Sequence, residues 1–125
     1  MFIDIDKFKL INDNYGHKVG DKILVQVAEI LKESIRNEDI AARFGGDEFL
    51  ILFPYIKSYD TCVDIATKLN ERVKKMNYTI LDTQISLSIG ISLLSNNDSI
   101  DELIINADTA MYNAKHEGGG RYIIK

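Results

Sequence analysis

Apolar and polar positions alternate along this chain in two rhythms, one of period two and one of period three to four. Met1 to Ile5 opens as an apolar run and reads as a strand. Lys7 to Gly20 is a polar, turn-like stretch punctuated by Asn12, Asp13, Asn14, Gly16 and Gly20. From Asp21 to Arg36 the residues Ile23, Val27, Ile30, Leu31 and Ile35 recur at helical spacing. Asp39 to Phe44 and Glu48 to Phe53 read as two short strands of a hairpin around Gly45-Gly46, closed by Pro54. Ser58 starts a second helix with Ile65, Leu69, Val73 and Met76 on one face. Tyr78 to Leu94 is strand-rich, with Ile85, Leu87, Ile89, Ile91 and Leu93 alternating with small or polar residues. Ser99 and Glu102 have capping-box spacing ahead of a helix carrying Leu103, Ala107, Met111 and Ala114. Gly118 to Gly120 end that helix, and Tyr122 to Ile124 forms a last strand. The order predicts an α/β (α+β) sandwich, with helices packed on a mostly antiparallel sheet.

Composition narrows the class. A chain of 125 residues has room for one domain spanning 1–125. Its 15 Lys and Arg against 19 Asp and Glu give a net charge of −4, which argues against nonspecific nucleic-acid binding. A small phosphorylated ligand stays open, because a metal ion can supply positive charge locally. The single cysteine, Cys62, has no internal partner and lies among apolar residues, so it reads as a buried thiol in a cytoplasmic protein. No apolar run approaches the roughly 20 residues that span a bilayer, so no membrane contact by this segment is expected. Phe2-Ile3 is followed at once by acids, unlike a signal peptide.

The chemistry lies in the acids. Asp4 and Asp6 sit two apart on a strand and project from one face. Asp47 and Glu48 sit at the tip of the hairpin. If the hairpin pairs beside the first strand, Asp4 and Asp47 converge at one end of the sheet. Oxygen-only ligands suit magnesium, and two such ions would stabilise the attacking and leaving oxygens of a phosphoryl transfer. Taken alone, either pair also reads as solvated acids at a strand end and in a turn.

The wider constellation distinguishes the two. FIDIDKFKLINDNYGHKVGD, then ARFGGDEFLILFP, SLSIGIS and ADTAMYNAKHEGGGRY, together resemble the GGDEF family of diguanylate cyclases over nearly the whole chain. The resemblance implies a palm-like nucleotide-cyclase fold and a nucleotidyltransferase that condenses two GTP into cyclic di-GMP across a homodimer. It implies two Mg2+ (or Mn2+) ions per half-site, held by Asp4, the Ile5 carbonyl, Asp47 and Glu48. Asp47 is also the implied acceptor of the 3′-hydroxyl proton. Gly45 and Gly46 would let backbone approach the nucleotide, and the N–H groups of the Lys7-Phe8-Lys9 turn would bind the β and γ phosphates. Asn12 and Asp21 match the guanine-reading pair, His17 a substrate-site position and Lys115 a phosphate contact. A structural histidine and a helix-dipole lysine are the plainer readings of the last two. Arg36 and Asp39 have the spacing of the family's inhibitory product site, with Arg72 as a second arginine for that ligand. A local salt bridge is the plainer reading there.

Two departures accompany the resemblance. The family's domain usually begins with a helix bearing Leu-Thr-Gly-Leu and Asn-Arg-Arg, and this chain starts after it. Gly119 stands where the family often has a phosphate-binding arginine. A rival reading follows: a weak or inactive module that receives GTP or cyclic di-GMP as a signal. Under either reading the segment is expected to be the output part of a larger sensor, membrane-bound or not.

Overall fold

The β1 strand (Phe2–Ile5) lies at the centre of a five-stranded sheet, with Ile3 and Ile5 fully buried. The computed structural model describes residues 1–56, 58–76, 81–82, 84–95 and 99–125. After β1 come α1 (Phe8–Tyr15), α2 (His17–Glu33), β2 (Ile40–Arg43), β3 (Glu48–Leu52), α3 (Tyr59–Lys74), β4 (Leu87–Ile91), α4 (Ile100–His116) and β5 (Tyr122–Ile124). The strands run in the order β2-β3-β1-β4-β5, antiparallel except for β4 and β5. That one parallel pair is joined by α4, the crossover such a connection requires. The expected α/β class with a mostly antiparallel sheet is present.

Alternation gives the sheet two unlike faces. Ile3, Ile5, Phe49, Ile51, Leu87, Ile89 and Ile91 project toward α2 and α3 and form the main core with Ile23, Val27, Leu69 and Val73. Phe2, Asp4, Glu48, Leu50, Ser88 and Gly90 fall on the other face, where Phe2 packs with Ala107 and Met111 of α4. Gly90 lets α4 sit close, since a Cβ there would stand 1.8 Å from the Ala107 carbonyl oxygen. Cys62 is buried in the main core, as expected. The Ser99–Glu102 capping box opens α4 as its spacing predicts. No helix among the described residues is long and apolar enough to cross a membrane.

Several boundaries differ from the sequence reading. The polar stretch from Lys7 to Gly20 is not a turn region: it holds α1 and the start of α2, which runs His17–Glu33 rather than Asp21 to Arg36. Burial of Phe8 and Ile11, three residues apart, decides the helix over the weak helix-forming tendency of Asn and Asp. Gly16, at φ 85°, breaks the chain between the two helices. At its far end α2 stops at Ser34, whose Oγ donates to the Ile30 carbonyl, leaving Arg36 in a loop. Within the stretch expected to be strand-rich, the strand is Leu87–Ile91; Tyr78 to Ile80 lie outside the described residues.

Candidate functional site

The acids meet where β1 leaves the sheet. In register, Asp4 lies between Glu48 of β3 and Ser88 of β4, so the three side chains share one face. The Ile5 N–H donates to the Asp47 carbonyl at 3.2 Å, which draws the hairpin turn against the end of β1. Glu48 folds over Gly45, its Oε2 2.5 Å from where a Cβ on that glycine would stand. Asp4, Ile5, Asp47 and Glu48, expected as one group, are thus brought to one end of the sheet.

Asp4 is a buried carboxylate, 3% exposed. Burial pushes its pKa from 3.8 up to about 6; the Lys115 hydrogen bond opposes that rise and the charge of Asp47 adds to it. Lys115, in the last turn of α4, donates from Nζ to both Asp4 oxygens at 2.8 and 2.9 Å. Partial burial alone would lower the lysine, but the bond and charge of Asp4 outweigh it, so its pKa is raised. The two partners move in the same direction because they differ in depth: desolvation governs the acid, and the acid governs the half-exposed lysine. Lys115 therefore faces the acid cluster itself, more than the helix-dipole role expected of a lysine at a helix end.

Asp6 takes a different part from Asp4. It accepts from the hydroxyls of Ser86 and Ser88 and from the Gly120 N–H at 2.7 Å. It thereby fastens β1, the approach to β4 and the glycine turn after α4 to one carboxylate. Sequence reasoning paired Asp6 with Asp4 but assigned it no contact; Ser86 and Ser88, themselves two apart, were the available signal.

The other expected residues fall into three places. Lys7 stands ahead of α1 at φ 58°, and Phe8 and Lys9 begin the helix. Ile11 N–H is the first to reach back, to the Lys7 carbonyl, so the preceding amides have no acceptor within the helix. Amides so oriented can receive an anion. Asn12 of α1 packs its amide oxygen against Gly20, where it is buried without a hydrogen-bond partner; Asp21 and His17 are exposed on the first turns of α2.

Arg36 and Asp39 close one turn, since Asp39 Oδ2 accepts from the Arg36 N–H at 2.9 Å. The local salt bridge read as the plainer alternative is present, but from the exposed Arg36 guanidinium to Glu38 at 3.9 Å rather than to Asp39. Arg72 is engaged elsewhere. Its guanidinium caps the C-terminus of α2 through the Ile30 carbonyl, Ser34 Oγ and Glu33. A cavity of about 710 Å³ lies beside the Arg36–Asp39 turn, between α2 and β2.

Among the described residues, no three His, Cys, Asp or Glu side chains stand close enough to hold a metal by themselves. The donor set suits an ion of the magnesium type, which takes few protein oxygens and completes its shell with water and phosphate. A buried acid that already draws an ammonium is a place where a cation is favoured.

Sequence reasoning also passed over Arg43. Its guanidinium donates to the carbonyls of Gly45 and Gly46 at 2.7–3.2 Å, and the only hint was an arginine two positions ahead of a Gly-Gly turn.

Comparison with known proteins shows the family. The family model described as "Diguanylate cyclase, GGDEF domain" matches residues 1–121. The chain is 42% identical over 98% of its length to the bifunctional diguanylate cyclase/cyclic di-GMP phosphodiesterase MucR of Pseudomonas aeruginosa, and spans 18% of that protein. It is 38% identical over 98% of its length to the diguanylate cyclase DgcM of Escherichia coli, spanning 30% of it. Among solved structures, the GGDEF domain of YfiN from Pseudomonas aeruginosa matches with a TM-score of 0.89 and 36% identity, covering 98% of this chain and 78% of that one. The GGDEF domain of DgcB from Caulobacter crescentus, solved in complex with c-di-GMP, matches with a TM-score of 0.86 and 25% identity, covering 98% and 74%.

Proposed function

This chain belongs to the GGDEF-domain family of diguanylate cyclases, and from that membership we propose that it binds GTP and joins two molecules of it into cyclic di-GMP. The observation that carries the proposal is the convergence of Asp4, Asp47, Glu48 and Lys115 at one end of the sheet. A triphosphate is a polyanion, and this end of the sheet is acidic, so the reaction needs cations to bring the two together. Asp4, the Ile5 carbonyl, Asp47 and Glu48 would hold divalent ions, whose charge would offset that developing on phosphate during transfer.

The chain's own groups have separable tasks. The amides of Phe8 and Lys9 at the head of α1 receive the outer phosphates. Lys115 stands within reach of both Asp4 and a phosphate beside it, and neutralises charge there. Asn12 and Asp21 read the base: a carboxylate accepts from guanine N1–H and N2–H but meets an acceptor and a C–H on adenine. Asp47 accepts the proton of a 3′-hydroxyl as that oxygen attacks the α-phosphorus of the other nucleotide. One P–O bond forms, the α–β bridging bond breaks, and pyrophosphate leaves with the electron pair. The second half-reaction repeats this, so one cyclic di-GMP and two pyrophosphates result. Each chain holds one GTP, so a homodimer is required. Product bound at Arg36 and Asp39 inhibits by holding the half-sites apart.

Gly119 favours a second reading, a receptor that binds nucleotide and turns it over weakly. It leaves Lys115 to hold phosphate without the neighbouring arginine. Incubation with GTP and magnesium, with mass spectrometry of the products, separates the two. Cyclic di-GMP and pyrophosphate in a 1:2 ratio are expected; nucleotide binding without either product supports the receptor instead.

A further inference from the structure

We propose that Arg43 is the positioning residue of the catalytic turn, clamping the Gly45-Gly46 backbone so that Asp47 and Glu48 are presented in one geometry. The inference rests on the reading of those two acids as catalytic.

The turn needs such a device. Two consecutive glycines have more backbone freedom than any other dipeptide. The hairpin's own bonds, from Phe44 N–H and Gly45 N–H, both run to the Glu48 carbonyl and hold the neck of the loop. Arg43 holds the tip. Nε donates to the Gly45 carbonyl at 3.0 Å and to the Gly46 carbonyl at 3.2 Å, while Nη2 donates to the Gly46 carbonyl at 2.7 Å. A guanidinium offers these donors in a rigid plane, so two carbonyls bound to it are fixed relative to each other. An ammonium, a single point charge on a flexible stem, cannot do the same.

Arg43 acts from behind. In register it pairs with Phe49, which places its side chain on the α2 face of the sheet. Glu48 lies on the opposite face with Asp4. Among the described residues, no acid lies within ion-pair distance of Arg43. Its contacts are to backbone rather than to the acids it serves. The side chain is exposed, on the wall of the cavity beside the Arg36–Asp39 turn, and its hydrogen bonds run to the two turn carbonyls.

The test compares the protein with its Arg43→Ala and Arg43→Lys variants in two measurements. One is steady-state synthesis of cyclic di-GMP from GTP. The other is amide hydrogen exchange across residues 44–48. Arg43→Ala is expected to lower kcat about 10- to 100-fold, with any rise in KM for GTP smaller than the fall in kcat, because misplaced groups affect the reaction more than binding. Exchange across the turn should rise while β1 and β4 keep their protection. Arg43→Lys should recover only part of both. A raised KM with kcat maintained would overturn the proposal and make Arg43 a substrate contact. Unchanged turn exchange would overturn it whatever the kinetics. If the parent protein makes no cyclic di-GMP, the functional reading fails, and the exchange comparison alone decides the clamp.

Discussion

Asp4 is a carboxylate kept out of water beside an ammonium, and its pKa of about 6 against an ordinary 3.8 has a thermodynamic sign. Between those values the folded chain binds the proton more tightly than the unfolded chain. Stability contributed by this group is therefore greatest at low pH and declines as pH rises from about 4 to about 6. The difference corresponds to roughly 3 kcal/mol. Urea unfolding of wild type and Asp4→Asn in the presence of a chelator should show it: wild type loses ground to the variant across that window, and parallel pH profiles would contradict the assignment. The glycine turn offers a second test at this scale. Gly119 has φ 73°, and a Cβ there would stand 2.7 Å from the Asp6 carboxyl group. Restoring the family's arginine with Gly119→Arg should therefore destabilise by about 1–3 kcal/mol, read from the urea midpoint, since a side chain there must displace Asp6 from Gly120. Unchanged stability would show that the turn relaxes freely.

At the scale of elements, α3 packs on β4 through the core and is also hydrogen-bonded to it by one side chain. Asn70, buried in the core, donates from Nδ2 to the Leu87 carbonyl at 3.0 Å and accepts from the Leu87 N–H at 2.9 Å. It imitates a neighbouring strand at the end of the ladder. Asn70→Ala should cost about 2–3 kcal/mol, because both groups of Leu87 are left buried and unpaired. A calorimetric melt within error of wild type would refute that. Nothing in the local pattern marks Asn70, since its partner lies 17 residues on. The same limit explains α1: Asn12, Asp13 and Asn14 argue against a helix, and only the burial of Phe8 and Ile11 by tertiary packing outweighs that tendency. The first strand was legible from its apolar run, the hairpin from its Gly-Gly turn, β4 from its period-two alternation and α4 from its capping box, all of them local signals. Asp4 and Lys115, 111 residues apart, were linked only through the resemblance, as no spacing argument reaches that far.

Across the whole molecule, the sheet separates stability from chemistry. The main apolar core lies on the face covered by α2 and α3, while the other carries Asp4 and Glu48 beside the C-terminal turn of α4 and the smaller cluster of Phe2 and Met111. Acids on the second face can change without emptying the core. The chain spans 18% of MucR and 30% of DgcM. Whether the hairpin acids perform the transfer is read most directly from cyclic di-GMP synthesis by the Asp47→Asn variant, with thermal melting alongside. The half-exposed position of Asp47 in a turn predicts a melting temperature close to wild type. Loss of the proton acceptor and of a cation ligand together predicts a fall in product formation of at least about 100-fold. Synthesis at the wild-type rate by a folded Asp47→Asn protein would contradict a role for the hairpin acids in the transfer.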